Sequence, residues 1–153
     1  MDEPRTDILM SESDEKQPKA GQILWRDLTV PDAPAIRDFY KAVIGWEHSD
    51  HPMGEYNDYN MLQAETGEVI TGVVNKRGVN AAIPSVWLMY VGVEDVDDSL
   101  RQCEELGGRV LVPPSTEVAY RYAVIEDPAG AILGIMQLAG PQEGSEENSD
   151  HRQ

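Results

Sequence analysis

The chain has 153 residues, 41% of them apolar, with 28 acidic against 12 basic side chains and a formal charge of −16, enough for one compact domain but not for a second large one. The charge is not confined to the ends, because residues 21–138 alone carry 18 acids against 8 bases. Such a body repels phosphate backbones and anionic lipid, so no nucleic acid and no membrane is expected as a partner. The opening residues include Asp2, Glu3 and Arg5 without an apolar core, and the longest apolar stretch, around 86–93, is too short to cross a bilayer. A cytoplasmic protein is expected. Cys103 is the sole cysteine, which leaves no internal disulfide and no thiolate cluster for a metal.

Residues 1–20 are rich in Glu, Asp, Ser, Gln and Pro and bury too little to offset the entropy of ordering, so they read as an acidic tail. Ile8, Leu9 and Met10 form a small apolar cluster there that leaves open a docking role. The domain proper spans 21–138, followed by a second acidic tail at 139–153. Within the domain the first strand runs from Leu24 to Val30 and stops at Asp32, a helix-capping residue. Pro34 sits in the first turn of the helix that follows, Ile36, Phe39, Tyr40 and Val43 share one face, and Gly45 ends it. Strand-like stretches follow near Trp46, at 59–63 and at 69–74.

The same series then recurs at a constant spacing of 63 residues: Val30 falls on Val93, Asp32 on Asp95, Gly45 on Gly108, Tyr59 on Tyr122, Gly67 on Gly130 and Val69 on Ile132. A repeat of this length marks a supersecondary unit used twice. The second copy has a strand at 88–93, a helix with Val96, Leu100, Cys103 and Leu106 on one face, and strands at 109–112, 120–126 and 131–138. Asp127-Pro128-Ala129-Gly130 has the residues of a type I turn before the last strand. The predicted fold is α+β: two βαβββ modules, 21–77 and 84–138, forming a cupped mixed sheet.

The strand with Val30-Pro31-Asp32, the helix carrying Phe39-Tyr40, the Gly45-Trp46 ending, Leu106-Gly107-Gly108 and the closing Asp-Pro-Ala-Gly strand together resemble the vicinal oxygen chelate superfamily (glyoxalase, bleomycin resistance, dioxygenase), and more narrowly its two-module glyoxalase-like proteins. The resemblance covers about residues 21–138. It implies a divalent metal held in the concavity by residues of the first and last strand of each module. The matching positions here are Trp25, Thr71 or its neighbour Gly72, Leu88 and Gly134. Indole, aliphatic and glycine positions offer none of the imidazole or carboxylate donors that such a metal needs, so no metal and no cofactor is expected. The resemblance also implies a homodimer.

Strand alternation turns Trp25, Asp27 and Thr29 toward the concavity together with Leu88, Tyr90 and Gly92, and puts Leu24, Leu28 and Val30 against the helix. Val69 and Thr71, with Ile132 and Gly134, line the same space by the repeat. Trp25, Asp27, Tyr59, Tyr90, Arg121 and Tyr122 are the expected ligand-binding residues, forming an aromatic pocket with one carboxylate. The alternative reading, in which the aromatics simply fill the core, stands beside it.

For Asp27 the expectation is a pKa raised by the apolar cleft, which makes it the one candidate catalytic base, with a tyrosine hydroxyl or Arg121 stabilising negative charge. The competing reading pairs it with an arginine or hydrogen-bonds it at a sheet edge. His48 and His51 fall in a segment with Pro52 and Gly54 that reads as a loop and not as a ligand set. Trp87 belongs to the helix side, Cys103 is a core thiol, and Arg26 looks to Asp38 or Glu47 for a partner. The leading function is binding of a small molecule without metal. The alternatives are a glyoxalase-like lyase or isomerase, or a dioxygenase-type enzyme, working through divergent metal ligands or metal-free through Asp27, and an assembly module with a filled pocket.

Overall fold

The computed structural model of the protein describes residues 17–114 and 121–138. Most of both expected tails, including the Ile8 to Met10 cluster, and Tyr120 at the expected start of the seventh strand lie outside the described residues. The elements run in the order β1 (Ile23–Val30), α1 (Ala33–Ile44), β2 (Glu47–Pro52), β3 (Asn57–Leu62), β4 (Val69–Asn75), a 3₁₀ turn (Gly78–Ala82), β5 (Trp87–Val93), α2 (Val96–Glu105), β6 (Arg109–Val112), β7 (Tyr122–Glu126) and β8 (Ile132–Gln137).

The local signals act as their chemistry requires. Asp32 accepts from the backbone N–H of Ala35 and Asp95 from that of Asp98, both at 3.2 Å, so each satisfies one orphan donor at a helix start. Gly45 ends α1 at φ 94°, in the left-handed region where only glycine is unstrained. The Asp127 turn closes with Gly130 N–H donating to the Asp127 carbonyl at 2.9 Å, and the Asp127 carboxylate also accepts from Ala129 and Ala131.

All eight strands form one sheet in the order β2-β3-β4-β1-β5-β8-β7-β6. In each half the closing strand lies parallel to the opening one, β4 on β1 and β8 on β5, and the halves meet where β1 and β5 run antiparallel. Both helices pack on one face. Leu28, Val30, Ala33, Tyr59, Met61 and Val73 form a buried cluster beneath α1, and Val96, Ala123 and Ile135 one beneath α2. On the opposite face the connection between the halves folds over the second one, where Ile83, only 1% exposed, packs with Leu88, Tyr90, Val112 and Val124.

Several expectations need correction. The segment with His48 and His51 is a strand, β2, paired along its length with β3. Only part of the expected α1 stripe is covered: Ile36 and Tyr40 pack on the core, whereas Phe39 and Val43 are about half exposed. Asp38 pairs with Arg37 and Glu47 with Lys41, so neither serves Arg26, whose guanidinium instead lies 6.0 Å from the Trp25 ring.

Candidate functional site

The site lies on the helix-free face, at the seam between the halves. Alternation along β1 sends Leu28 and Val30 under α1 and turns Trp25, Asp27 and Thr29 the other way. Across the seam Trp25 pairs with Tyr90 and Asp27 with Leu88. Two adjoining chambers result. One, of about 190 Å³, is walled by Trp25, Asp27, Thr29, Val74, Asn80, Tyr90, Tyr122 and Met136. The other, of about 260 Å³, adds His51, Met53, Asp58, Asn60 and Gly72 and is bordered by Tyr59, sharing Trp25, Asp27 and Val74 with the first. The structure thus brings together Trp25, Asp27, Tyr90 and Tyr122 of the expected residues. The second half of this face is filled by the cluster of Ile83, Leu88, Tyr90, Val112 and Val124, against which Trp25, Tyr122 and Met136 also pack, so the same aromatics wall the seam and contribute to the core.

Asp27 is the polar centre of the seam. Burial pushes its pKa from 3.8 to about 6, with the nearby Asp58 charge adding to the rise, while side-chain hydrogen bonds from Trp25 and Tyr90 oppose it. Its Oδ1 is buried, and no described group donates to it. The rise matches the expectation from sequence, and its leading cause, desolvation, is the one expected there. The competing arginine partner is not found at this carboxyl.

Tyr90 lies flat on the sheet: a Cβ on Gly134 would stand 2.3 Å from its ring, so glycine at 134 is what lets the ring lie there. Tyr122 meets Tyr90 edge-on at 5.9 Å, and its hydroxyl is 3.5 Å from Asn80 Oδ1, which ties β7 to the 3₁₀ turn.

Two expected site residues point elsewhere. Tyr59 borders the second chamber with its backbone, yet its ring belongs to the cluster under α1, 4.7 Å from the Arg37 guanidinium and edge-on to His48 at 5.6 Å. Arg121 is held by Asp97 of α2 at 2.8 and 3.2 Å, on the helix side, and does not serve Asp27.

The Tyr59 error comes from carrying one spacing through the whole repeat. Asp27 pairs with Gly72 as Tyr90 does with Gly134, so the closing strands match at a spacing of 62 residues, not 63. Gly72 in turn faces Asn60, and Gly134 faces Val124, a spacing of 64. Tyr59 therefore corresponds to Ala123, which is buried with Val96 of α2, and the place of Tyr122 is taken by Asp58. Thr71 likewise turns to the helix side, its hydroxyl donating to the Arg26 carbonyl at 2.8 Å, while Gly72 faces the chamber. A one-residue slip exchanges faces.

Sequence reasoning missed Asp58, Asn60, Asn80, Met136 and the cavity position of His51. A signal for two of them was present, since in Asp58-Tyr59-Asn60-Met61 the polar residues alternate with apolar ones. Asp58 is 8% exposed and its Oδ1 accepts from both the backbone and the side-chain nitrogens of Asn75 at 2.9 Å.

The family profile described as Glyoxalase/Bleomycin resistance protein/Dioxygenase superfamily matches residues 21–135, from the start of β1 well into β8. The chain belongs to this superfamily. Among curated relatives of this glyoxalase-type domain, a protein named as a candidate glyoxylase, CFP32, of Mycobacterium bovis is 30% identical over 115 residues, 74% of this chain and 44% of its own length. The anthracycline biosynthesis protein DnrV of Streptomyces peucetius is 28% identical over 142 residues, 82% of this chain and 50% of its own. The chain thus spans about half the length of the curated relatives it matches. Among solved structures, a superfamily member from Vibrio splendidus has a TM-score of 0.50 at 12% identity, covering 76% of this chain and 99% of that one. Methylmalonyl-CoA epimerase from Mycobacterium tuberculosis has a TM-score of 0.50 at 14% identity, covering 83% and 94%. At such identities these likenesses speak for the fold alone.

Proposed function

We propose that this glyoxalase-superfamily domain binds a small organic molecule in the seam cavity and does so without a metal ion. The observation that carries the reading is the Asp27 carboxyl, set where two aromatic-walled chambers join, with one buried oxygen that no described group satisfies. Buried polar groups are normally matched, and this carboxyl lines both chambers, which supports a donor supplied from outside the chain. The donor chemistry supports the metal-free half. At the four positions where the superfamily resemblance implies ligands stand Trp25, Gly72, Leu88 and Gly134 on the chamber face, and none offers imidazole or carboxylate. A relative named for anthracycline biosynthesis is consistent with a small organic ligand.

Thermal unfolding of the full chain across a set of small aromatic and polar compounds tests this, since a ligand of the folded state raises the midpoint with its concentration. A rise abolished by Trp25→Ala is expected. Metal analysis of protein purified without chelator is the counter-test: stoichiometric metal, lost on changing Asp27, Asp58 or His51, overturns the metal-free reading.

A second reading is favoured by one observation. A carboxyl with a pKa of about 6 is a better base than an ordinary aspartate, yet still ionised at neutral pH. In a metal-free lyase or isomerase Asp27 would take a proton from the bound molecule, with the Tyr90 hydroxyl beside it. Turnover lost in Asp27→Asn while binding persists would select this reading over simple binding.

The pairing of two copies belongs to the same proposal. Curated relatives about twice as long leave room for a second domain of this size, and Phe39, Val43 and Ile44 expose apolar surface along α1.

A further inference from the structure

The walls of the seam cavity also bear on the kind of molecule it takes, an inference that rests on the binding reading above. Among the described residues, no lysine or arginine lines either chamber. Of the other described basic side chains, Arg37 goes to Asp38, Lys41 to Glu47, Arg121 to Asp97 and Arg77 to the face of Tyr56 at 4.0 Å, while Lys76 reaches the Ser85 hydroxyl and Arg26 lies 6.0 Å from the Trp25 ring. Two carboxyls do line the space. Asp27 borders both chambers with Oδ1 unmatched, and Asp58, buried beside β4, borders the second. His51 of β2 also borders that chamber.

This arrangement sets a sign. A buried carboxyl with no cation beside it costs free energy, and a second carboxyl nearby raises that cost. An anionic ligand would add a third like charge in a partly desolvated space. A neutral ligand would leave the charge as it is. An ammonium would offset both carboxyls, supply donors to the Asp27 carboxyl through charge-assisted hydrogen bonds, and gain from the Trp25 ring that borders the same chamber. The acidic body around the cavity works in the same direction at long range, drawing cations toward the protein.

We propose that the ligand is an organic cation: a protonated amine seated in the chamber that Asp27 and Asp58 share, with an apolar or aromatic body lying along Trp25, Tyr90 and Tyr122. The two chambers fit the two ends of such a molecule. The one with both carboxyls also carries Asn60 and His51, and the other is walled by rings and Met136.

The test uses three probes of one shape and three charges, naphthylmethylamine, naphthylmethanol and naphthoate, titrated calorimetrically into the full chain at neutral pH and moderate salt. The amine is expected to bind about tenfold more tightly than the alcohol, as one charge-assisted contact provides, with the carboxylate weakest. Asp27→Asn should remove the preference for the amine over the alcohol, which separates the site from general attraction to an acidic surface. Because Asp27 is part-protonated near pH 6 when empty, amine binding there should release protons, seen as a heat that varies with the ionisation enthalpy of the buffer. Equal binding of amine and alcohol, or tighter binding of the carboxylate, overturns the cation inference while the binding pocket stands. Failure of all three probes to bind at their solubility limits overturns both.

Discussion

Replacing Asp27 by asparagine should stabilise the protein at alkaline pH and do nothing at acid pH. The carboxyl has a pKa of about 6 in the folded chain against 3.8 as its ordinary value. Below 3.8 it is protonated in both folded and unfolded chains and contributes no difference. Between 3.8 and about 6 the unfolded chain loses the proton first, so stability falls as pH rises, and above about 6 the full cost remains. At about 1.4 kcal/mol per pK unit that cost is about 3 kcal/mol. Asparagine keeps the shape of the neutral acid and cannot ionise. The difference in urea unfolding free energy between Asp27→Asn and the parent should therefore grow from near zero at pH 3.5 to about 2–3 kcal/mol at pH 8 in favour of the variant. Taking the difference cancels the acids that do not interact with Asp27, leaving Asp58 as the neighbour whose charge contributes to the same rise. A difference that is flat with pH, or that favours the parent at pH 8, would refute the idea that desolvation at the seam dominates this carboxyl. A stabilising change at the functional centre is also what a site kept for binding and not for stability predicts.

Gly134→Ala should cost about 1–3 kcal/mol by chemical denaturation and weaken ligand binding, because its methyl group meets the Tyr90 ring, whereas Gly72→Ala, with its nearest contact at 3.4 Å, should not destabilise the fold. Tyr59→Phe should leave ligand affinity unchanged by calorimetry, and Tyr59→Ala should destabilise the fold by about 3–5 kcal/mol, as for loss of a buried aromatic ring. Arg121→Ala should leave ligand affinity as it is, while Tyr122→Ala lowers it several-fold in the same titration. Sedimentation equilibrium should give twice the 17.0 kDa chain mass, and charged replacements at Phe39 and Val43 should halve it.

The sequence carried the elements of this fold because their signals are local. An aspartate before each helix caps it wherever the helix is placed, glycine at 45 stops α1 by backbone freedom alone, and Asp127 to Gly130 turn on their own hydrogen bonds. The seam was legible for a related reason. Alternation within β1 and β5 depends on the strand's own pleat, so Trp25, Asp27 and Tyr90 could be assigned to one face, and an aspartate on that face could be expected to lose its water. Asp58 was missed and Tyr59 placed on the wrong face, because their facing depends on how β3 registers on β4, and a gapless repeat hides the slip between the halves. Tertiary structure alone decided that Arg121 would go to Asp97 across the helix side, and that Ile83 of the connecting segment would fill the second half of the face. These contacts join residues far apart in the chain, and only the assembled sheet sets the distances between them.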